Sequence, residues 1–274
     1  MSLIRSILLH LDATPSSAAR LELARQLALR NEATLSAMFV AAPPQRPVQL
    51  AISESPAALF QPLDASAMEG TKSLFDAVAA QGGPSLRWLE GRGEPVDAFC
   101  RQALYADLLV LGQSEPHPTP GSAPSNFVES VLIDTGKPAL VLPCTGEFKI
   151  IGRDVLIGWN ATPQAARAVA AALPWLRSAH RVHVLEAVDP ARPTEPGELD
   201  IAHYLQFHGS VPALHRLRSS AADMGDTLLS LAADVDADLL VMGCYGHSRA
   251  REFVLGGASR TVLRTMTLPV LMAH

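Results

Sequence analysis

Two short apolar runs with the composition of strands open the two halves of this chain. Ser6-Ile7-Leu8-Leu9-His10-Leu11 leads into Asp12-Ala13-Thr14-Pro15, and Asp154-Val155-Leu156-Ile157-Gly158-Trp159 leads into Asn160-Ala161-Thr162-Pro163. Thr favours the capping position of a helix and Pro its first turn, so each run predicts a strand feeding a helix. Helical spacing follows in both places, at Ala18, Leu21, Ala24 and Ala28, then at Ala166, Val169 and Leu173.

A second match closes each half. Ala106-Asp107-Leu108-Leu109-Val110-Leu111-Gly112 and Ala237-Asp238-Leu239-Leu240-Val241-Met242-Gly243 agree at six of seven positions, 131 residues apart. Pro138 and Pro269 keep that offset, and each enters a last apolar strand. Blocks repeated at one offset predict an internal duplication. The Thr-Pro pairs lie 148 residues apart, so the first half carries an insert, placed in the Pro-rich stretch 41–67 and read as a loop or flap. The matching stretch of the second half, Asp189 to Leu199, is shorter and also Pro-rich.

The coarse reading is β-α-β-α-β-α-β-α-β in each half. Strands are expected near 3–11, 34–40, 85–90, 107–112 and 138–142, then 153–159, 181–187, 211–217, 238–243 and 269–273. Apolar strands alternating with helices predict an α/β fold, a parallel sheet covered on both faces. The predicted domains are 1–145 and 150–274, joined by a short linker.

Composition narrows the classes. Apolar residues make up 48% and charged ones 18%, which suits a packed core. Aromatics are 5%, so Ala, Leu and Val must fill that core. The net charge of −5 argues against non-specific binding to nucleic acid or an anionic membrane. No apolar run approaches a membrane span, and the first residues have the wrong flanks for a signal peptide. Cys100, Cys144 and Cys244 form no C-x-x-C pair, which predicts a reducing cytoplasm rather than a disulfide framework or zinc knuckle.

The candidate chemistry lies after the fourth strand of the second half. Gly243-Cys244-Tyr245-Gly246-His247 begins a loop that ends in Gly256-Gly257-Ala258-Ser259 and runs into a helix. Glycines let backbone N–H groups close on an oxyanion, and a helix N-terminus adds donors and partial positive charge. The loop also leaves the carboxyl end of a parallel strand, where open α/β sheets bind ligands. It is neither a Walker loop nor a dinucleotide fingerprint. At the offset of 131 the first half has Glu115, Ser125, Asn126 and Val128 facing Gly246, Gly256, Gly257 and Ser259, with only Gly112 kept. Phosphate binding is therefore expected in the second half alone.

These residues resemble a tandem universal stress protein over the whole chain. Gly243, Gly246 and Gly256 match the three glycines of the family's ATP-binding pattern, Gly257 stands where Ser or Thr is usual, and Ser259 matches a further serine. The resemblance implies two tandem Rossmann-like domains of the adenine nucleotide alpha hydrolase-like type. Each would be a five-stranded parallel sheet flanked by helices, the two packed as an intrachain pseudo-dimer through strands 138–142 and 269–273. It implies an adenine nucleotide, ATP with Mg, held by Asn160 at the family's Asp position, by Ala187 at the second strand's end, and by Met242, Gly243, Gly246, His247, Gly256, Gly257, Ala258 and Ser259. Asp12 keeps the family's Asp in the first half.

Other residues carry less. His203 with His208 and His180 with His183 lack partners at metal spacing and read as surface or strand-edge histidines. His247 either leans on a phosphate or lies exposed. Cys244 is an inert small side chain or, at a helix N-terminus, a redox-sensitive thiol. No nucleophile elbow or zinc-protease motif marks an enzyme. The leading expectation is a cytoplasmic stress-response regulator that binds nucleotide in its second half, with an unknown protein partner and a homodimer left open. The alternatives are a slow ATPase, an adenylate kinase-like activity or autophosphorylation at Ser259 or Thr261, or a nucleotide-free scaffold.

Overall fold

The computed structural model describes residues 4–41, 65–115, 121–146, 148, 150–187, 198–217, 224–245 and 257–274. Most of the Pro-rich insert, from 42 to 64, lies outside the described residues, as do 188–197 of its second-half counterpart. The chain divides into two units, Met1–Thr135 and Gly136–His274.

The first unit runs β1 (Ser6–Leu11), α1 (Ser17–Asn31), β2 (Thr34–Phe39), α2 (Ala65–Ala79), β3 (Leu86–Glu90), α3 (Pro95–Ala103), β4 (Leu108–Gly112) and α4 (Phe127–Thr135). Its strands lie in the order β3-β2-β1-β4, all parallel. The second runs β5 (Ala139–Leu142), β6 (Asp154–Trp159), α5 (Pro163–Leu176), β7 (Arg181–Ala187), α6 (Ile201–Phe207), β8 (Ala213–Leu217), α7 (Met224–Asp234), β9 (Leu239–Gly243), α8 (Ala258–Thr265) and β10 (Val270–Ala273). Its order is β5-β10-β9-β6-β7-β8, parallel except for β5.

The expected strands all form, and the alternation of strand and helix is the one the apolar pattern predicts. The inner strands are apolar on both faces because helices cover both. Ile7, Leu9, Leu109, Val155, Ile157 and Leu240 are fully buried. The last strands of the two halves do pair: β5 runs antiparallel to β10, with Val141 opposite Val270 and Ala139 opposite Met272.

Two details of the helices differ from the sequence reading. Thr162 caps α5 as expected, its Oγ1 accepting from the Ala165 N–H at 3.3 Å with Pro163 in the first turn. Thr14 does not cap α1, which starts at Ser17 after Ser16. The Thr14 hydroxyl instead donates to Asp12 Oδ1 at 2.6 Å. The inward stripe is also set one residue early in the first turn of each helix. Ala18 and Ala166 are exposed, while Ser17 with Arg20, and Ala165 with Ala168, are buried.

The repeated Ala-Asp-Leu-Leu-Val block has a physical cause. Asp107 Oδ2 accepts from the Arg5 and Ser6 N–H groups at 2.8 and 2.9 Å, at the start of β1. Asp238 Oδ1 accepts from Gly152 and Arg153 at 2.7 and 3.0 Å, before β6. Each carboxylate satisfies backbone donors that no strand neighbour reaches. Removing the acceptor in Asp238→Ala is expected to lower unfolding stability by about 1–3 kcal/mol in urea titrations. Asp238→Asn keeps one acceptor oxygen and should cost less.

Candidate functional site

In each unit the strand order reverses between the first and fourth strands, β1 and β4 or β6 and β9. Such a switch point opens a crevice at the carboxyl ends of the strands.

In the second unit that edge carries the described site candidates. Asn160 follows β6 and is exposed, its Oδ1 accepting the Thr162 hydroxyl at 2.8 Å. Ala187 ends β7, half-buried opposite Leu217. Met242 is buried between Gly158 and Met272 in the sheet register. Gly243 ends β9, and a Cβ there would overlap the Ala165 N and lie 2.7 Å from the Gln164 carbonyl carbon. Its first requirement is thus the close approach of the α5 N-terminus to β9. Beyond it Tyr245 has a positive φ of 53° and donates its N–H to Ser259 Oγ at 3.2 Å. That bond brings the end of β9 to the first turn of α8. Gly257 is the N-cap of α8 without a side-chain cap, and Ala258 is the first helical residue. Gly246, His247 and Gly256 lie outside the described residues.

The other candidates separate from this edge. His203 donates its Nδ1–H to Asp200 Oδ1 in the α6 cap at 2.8 Å. His180 lies 3.5 Å from Asp154. His183 Nδ1 meets His215 Nε2 at 3.0 Å, a pair set by the β7–β8 register and invisible at 32 residues' separation. Among the described residues no group of three or more His, Cys, Asp or Glu is placed to hold a metal. Cys244 is buried, and its carbonyl meets His274 Nδ1 at 3.1 Å.

The same edge of the first unit is filled by its own side chains. Asp12, 5% exposed, pairs with Arg20 Nη2 at 2.8 Å. The same Oδ1 also accepts the Ser17 hydroxyl at 2.8 Å. Arg20 is 3% exposed, and its guanidinium covers Gly112, where a Cβ would overlap Nη1 and lie 2.7 Å from Cζ. His10 is buried against Phe127 and Phe99, and its Nε2 meets the Val40 carbonyl at 2.9 Å. Val128, the counterpart of Ser259, is a core residue. Asn126 and Ser125 are exposed and Glu115 half-buried. A cleft of about 370 Å³ lies beside the network, between the β1–α1 turn and α2, with the engaged Asp12 in its lining.

The electrostatics follow from burial. Desolvation pushes the His10 imidazole down to about 4, with Arg20 acting the same way and Asp12 and the Val40 bond acting against it. For Asp12 desolvation acts upward, but Arg20, His10, Thr14 and Ser17 together hold the carboxyl well below the usual carboxylate range. Sequence reasoning marked Asp12 and missed Arg20 and His10. The trace Arg20 leaves is slight: it lies at the border of the apolar stripe of α1, three and seven residues before Leu23 and Leu27.

A family model described as the universal stress protein family matches residues 4–135 and again 153–274. The chain belongs to the universal stress protein family. A solved universal stress protein from Archaeoglobus fulgidus DSM 4304 is similar over 98% of this chain and 97% of its own, at TM-score 0.69 and 16% identity. A functionally unknown protein from Pseudomonas aeruginosa PAO1 is similar over 98% and 92%, at TM-score 0.59 and 17% identity. At these identities the likeness carries the fold. No curated protein matches the chain. The two family segments coincide with the duplication read from the sequence.

Among the described residues no helix is long and apolar enough to cross a membrane.

Two measurements test the first-unit network of this universal stress protein. Arg20→Met leaves Asp12 buried and unpaired and should cost about 3–5 kcal/mol in urea unfolding. Adding Asp12→Asn should restore part of the loss. The second test is pH. His10 titrates near 6.5 unfolded and about 4 folded, so the fold favours its neutral form. Its contribution is complete above pH 6.5 and is lost as pH falls toward 4, by about 3 kcal/mol in all. His10→Gln should flatten the stability profile across that window, leaving the smaller slope of His183, whose imidazole burial also lowers.

Proposed function

We propose that the second unit binds ATP or a related adenine nucleotide and that the chain acts as a cytoplasmic, ligand-dependent regulator read by a protein partner. The observation that carries this reading is the start of α8. Gly257 leaves the first N–H groups of the helix without a side-chain cap, and Tyr245 and Ser259 hold that turn to the end of β9. Helix N–H groups without a side-chain cap and the helix dipole there suit a phosphate. Ser259 accepts from Tyr245 through its oxygen, which leaves its hydroxyl proton to donate. Asn160 keeps its Oδ1 on Thr162 and presents its amide N–H groups, donors to a base or ribose acceptor.

Mg finds no built protein site among the described residues of this edge. Asn160 is uncharged, and Glu186 at the end of β7 is paired with Arg216 at 2.9 Å. In this reading the ion travels with the phosphates. His274, at the same edge, donates its Nδ1–H to the Cys244 carbonyl at 3.1 Å, which leaves Nε2 as its accepting nitrogen, so binding is set apart from turnover by the product measurement below and not by this contact.

ATP at a hundred times its Kd should stabilise the chain by about 2.7 kcal/mol, a rise of several degrees in Tm. No shift at millimolar ATP counts against the proposal. Mass spectrometry of ligand released from freshly purified protein should find an adenine nucleotide. ADP or AMP accumulating beyond the protein concentration would instead favour the enzyme. Gly257→Asp should cap α8 with its own carboxylate, add a few tenths of a kcal/mol without ligand, and abolish the ATP shift.

A further inference from the structure

The two halves share one plan but differ in what stands at three points of the carboxyl edge. By the offset of 148, His10 takes the place of Gly158, Asp12 that of Asn160 and Arg20 that of Ala168. The strand registers align Val40 with Ala187. Leu11 lies opposite Phe39 and its counterpart Trp159 opposite Glu186, and Val40 and Ala187 come next. Gly112 corresponds to Gly243.

In the first unit each of these points already has a partner within the chain. The Val40 carbonyl meets His10 Nε2 at 2.9 Å. The Asp12 carboxylate holds Arg20 at 2.8 Å. The face of Gly112 lies under the Arg20 guanidinium. In the second unit Gly158 and Ala168 stand in the places of His10 and Arg20 and Asn160 is exposed, while Leu228 packs against the face of Gly158 and the first turn of α5 against that of Gly243. We infer that Arg20 and His10 take up, inside the first unit, the strand-end carboxylate and carbonyl whose counterparts at Asn160 and Ala187 the second unit leaves to its ligand, so that the first unit is self-liganded and takes no nucleotide. The assignment rests on the nucleotide reading of the second unit only for the identity of the ligand.

Simple core filling does not account for the pair. Arg20 Nε and His10 Nδ1 are buried with no hydrogen-bond partner among the described residues, a cost that apolar side chains would avoid. What the two residues supply is polar and directional. One donates to a strand-end carbonyl, the other to a strand-end carboxylate while covering a glycine face. These are the kinds of contact a base and a ribose would make.

The test uses the full chain, with ATP as probe. Equilibrium dialysis gives the number bound per chain, and ¹⁵N NMR follows the His10 imidazole through the same titration. One ATP per chain with unmoved His10 signals is expected. Two ATP per chain, or a His10 resonance that shifts as ATP saturates, would overturn the inference. No bound ATP and an unmoved His10 would remove the nucleotide reading and leave the first unit closed. In a chain that binds ATP, grafting the pair as Asn160→Asp with Ala168→Arg should weaken uptake roughly tenfold or more. Wild-type affinity in that folded variant would also overturn the inference. Should the variant not fold, the wild-type titration decides alone.

Discussion

The placement of both sites depends on a carboxylate that ties the fourth strand of each unit to the first. Asp107 and Asp238 stand just before β4 and β9 and bond the backbone that leads into β1 and β6. These are the two strands between which the order reverses, so their register sets how the crevice opens. The bonds lie at the amino end of the strands, opposite the ligand edge. The clamp therefore fixes the edge without occupying it. Half-burial raises the Asp238 carboxyl, and the Gly152, Arg153 and Asp154 N–H groups act against that rise. The hydrogen bonds keep a buried carboxylate useful as an acceptor. Conservation of this block between the halves, against wide divergence elsewhere, is what a shared scaffold requires.

At the ligand edge the same scaffold supports opposite electrostatic solutions. The first unit buries a charged pair at 2.8 Å and an imidazole held neutral. Desolvating Asp12 is tolerable only because Arg20, Thr14 and Ser17 converge on it, and removing any one donor exposes that cost. The second unit avoids the cost by having no charge to bury. Asn160, Gly158 and Ala168 carry no charge at the equivalent points, and Asn160 stays exposed. The first unit thus holds its polar contacts at this edge within the chain.

Much of the fold was legible because it is written in local patterns. The apolar runs marked the expected strands, and the pairing of β5 with β10 that the family resemblance implied is met with Val141 opposite Val270. Helix starts were less legible. Thr14 and Thr162 share an Asx-Ala-Thr-Pro context, and each donates its hydroxyl to the Asx two residues before it, yet only Thr162 also caps its helix. At Gly243 the glycine pattern supplied an incomplete reason, because the packing of α5 against β9 already excludes a Cβ. No local pattern announces a long-range approach of that kind.

Arg20 shows why the remaining part was hidden. On the helical repeat it sits one position before Leu21, and a charged residue beside an apolar stripe ordinarily reads as solvated. Its burial follows from Asp12 eight residues earlier and from the bare face of Gly112 beyond, a combination that exists only once β1 and β4 are side by side. Ala168 occupies the equivalent turn of α5, and with Asn160 in place of Asp12 an arginine there would have no carboxylate to meet. The two substitutions are thus coupled. An Asp–Arg pair or an Asn–Ala pair is self-consistent, whereas a mixed pair leaves either a buried charge or an empty contact. That coupling distinguishes the carboxyl edges of the two units within a single duplicated chain.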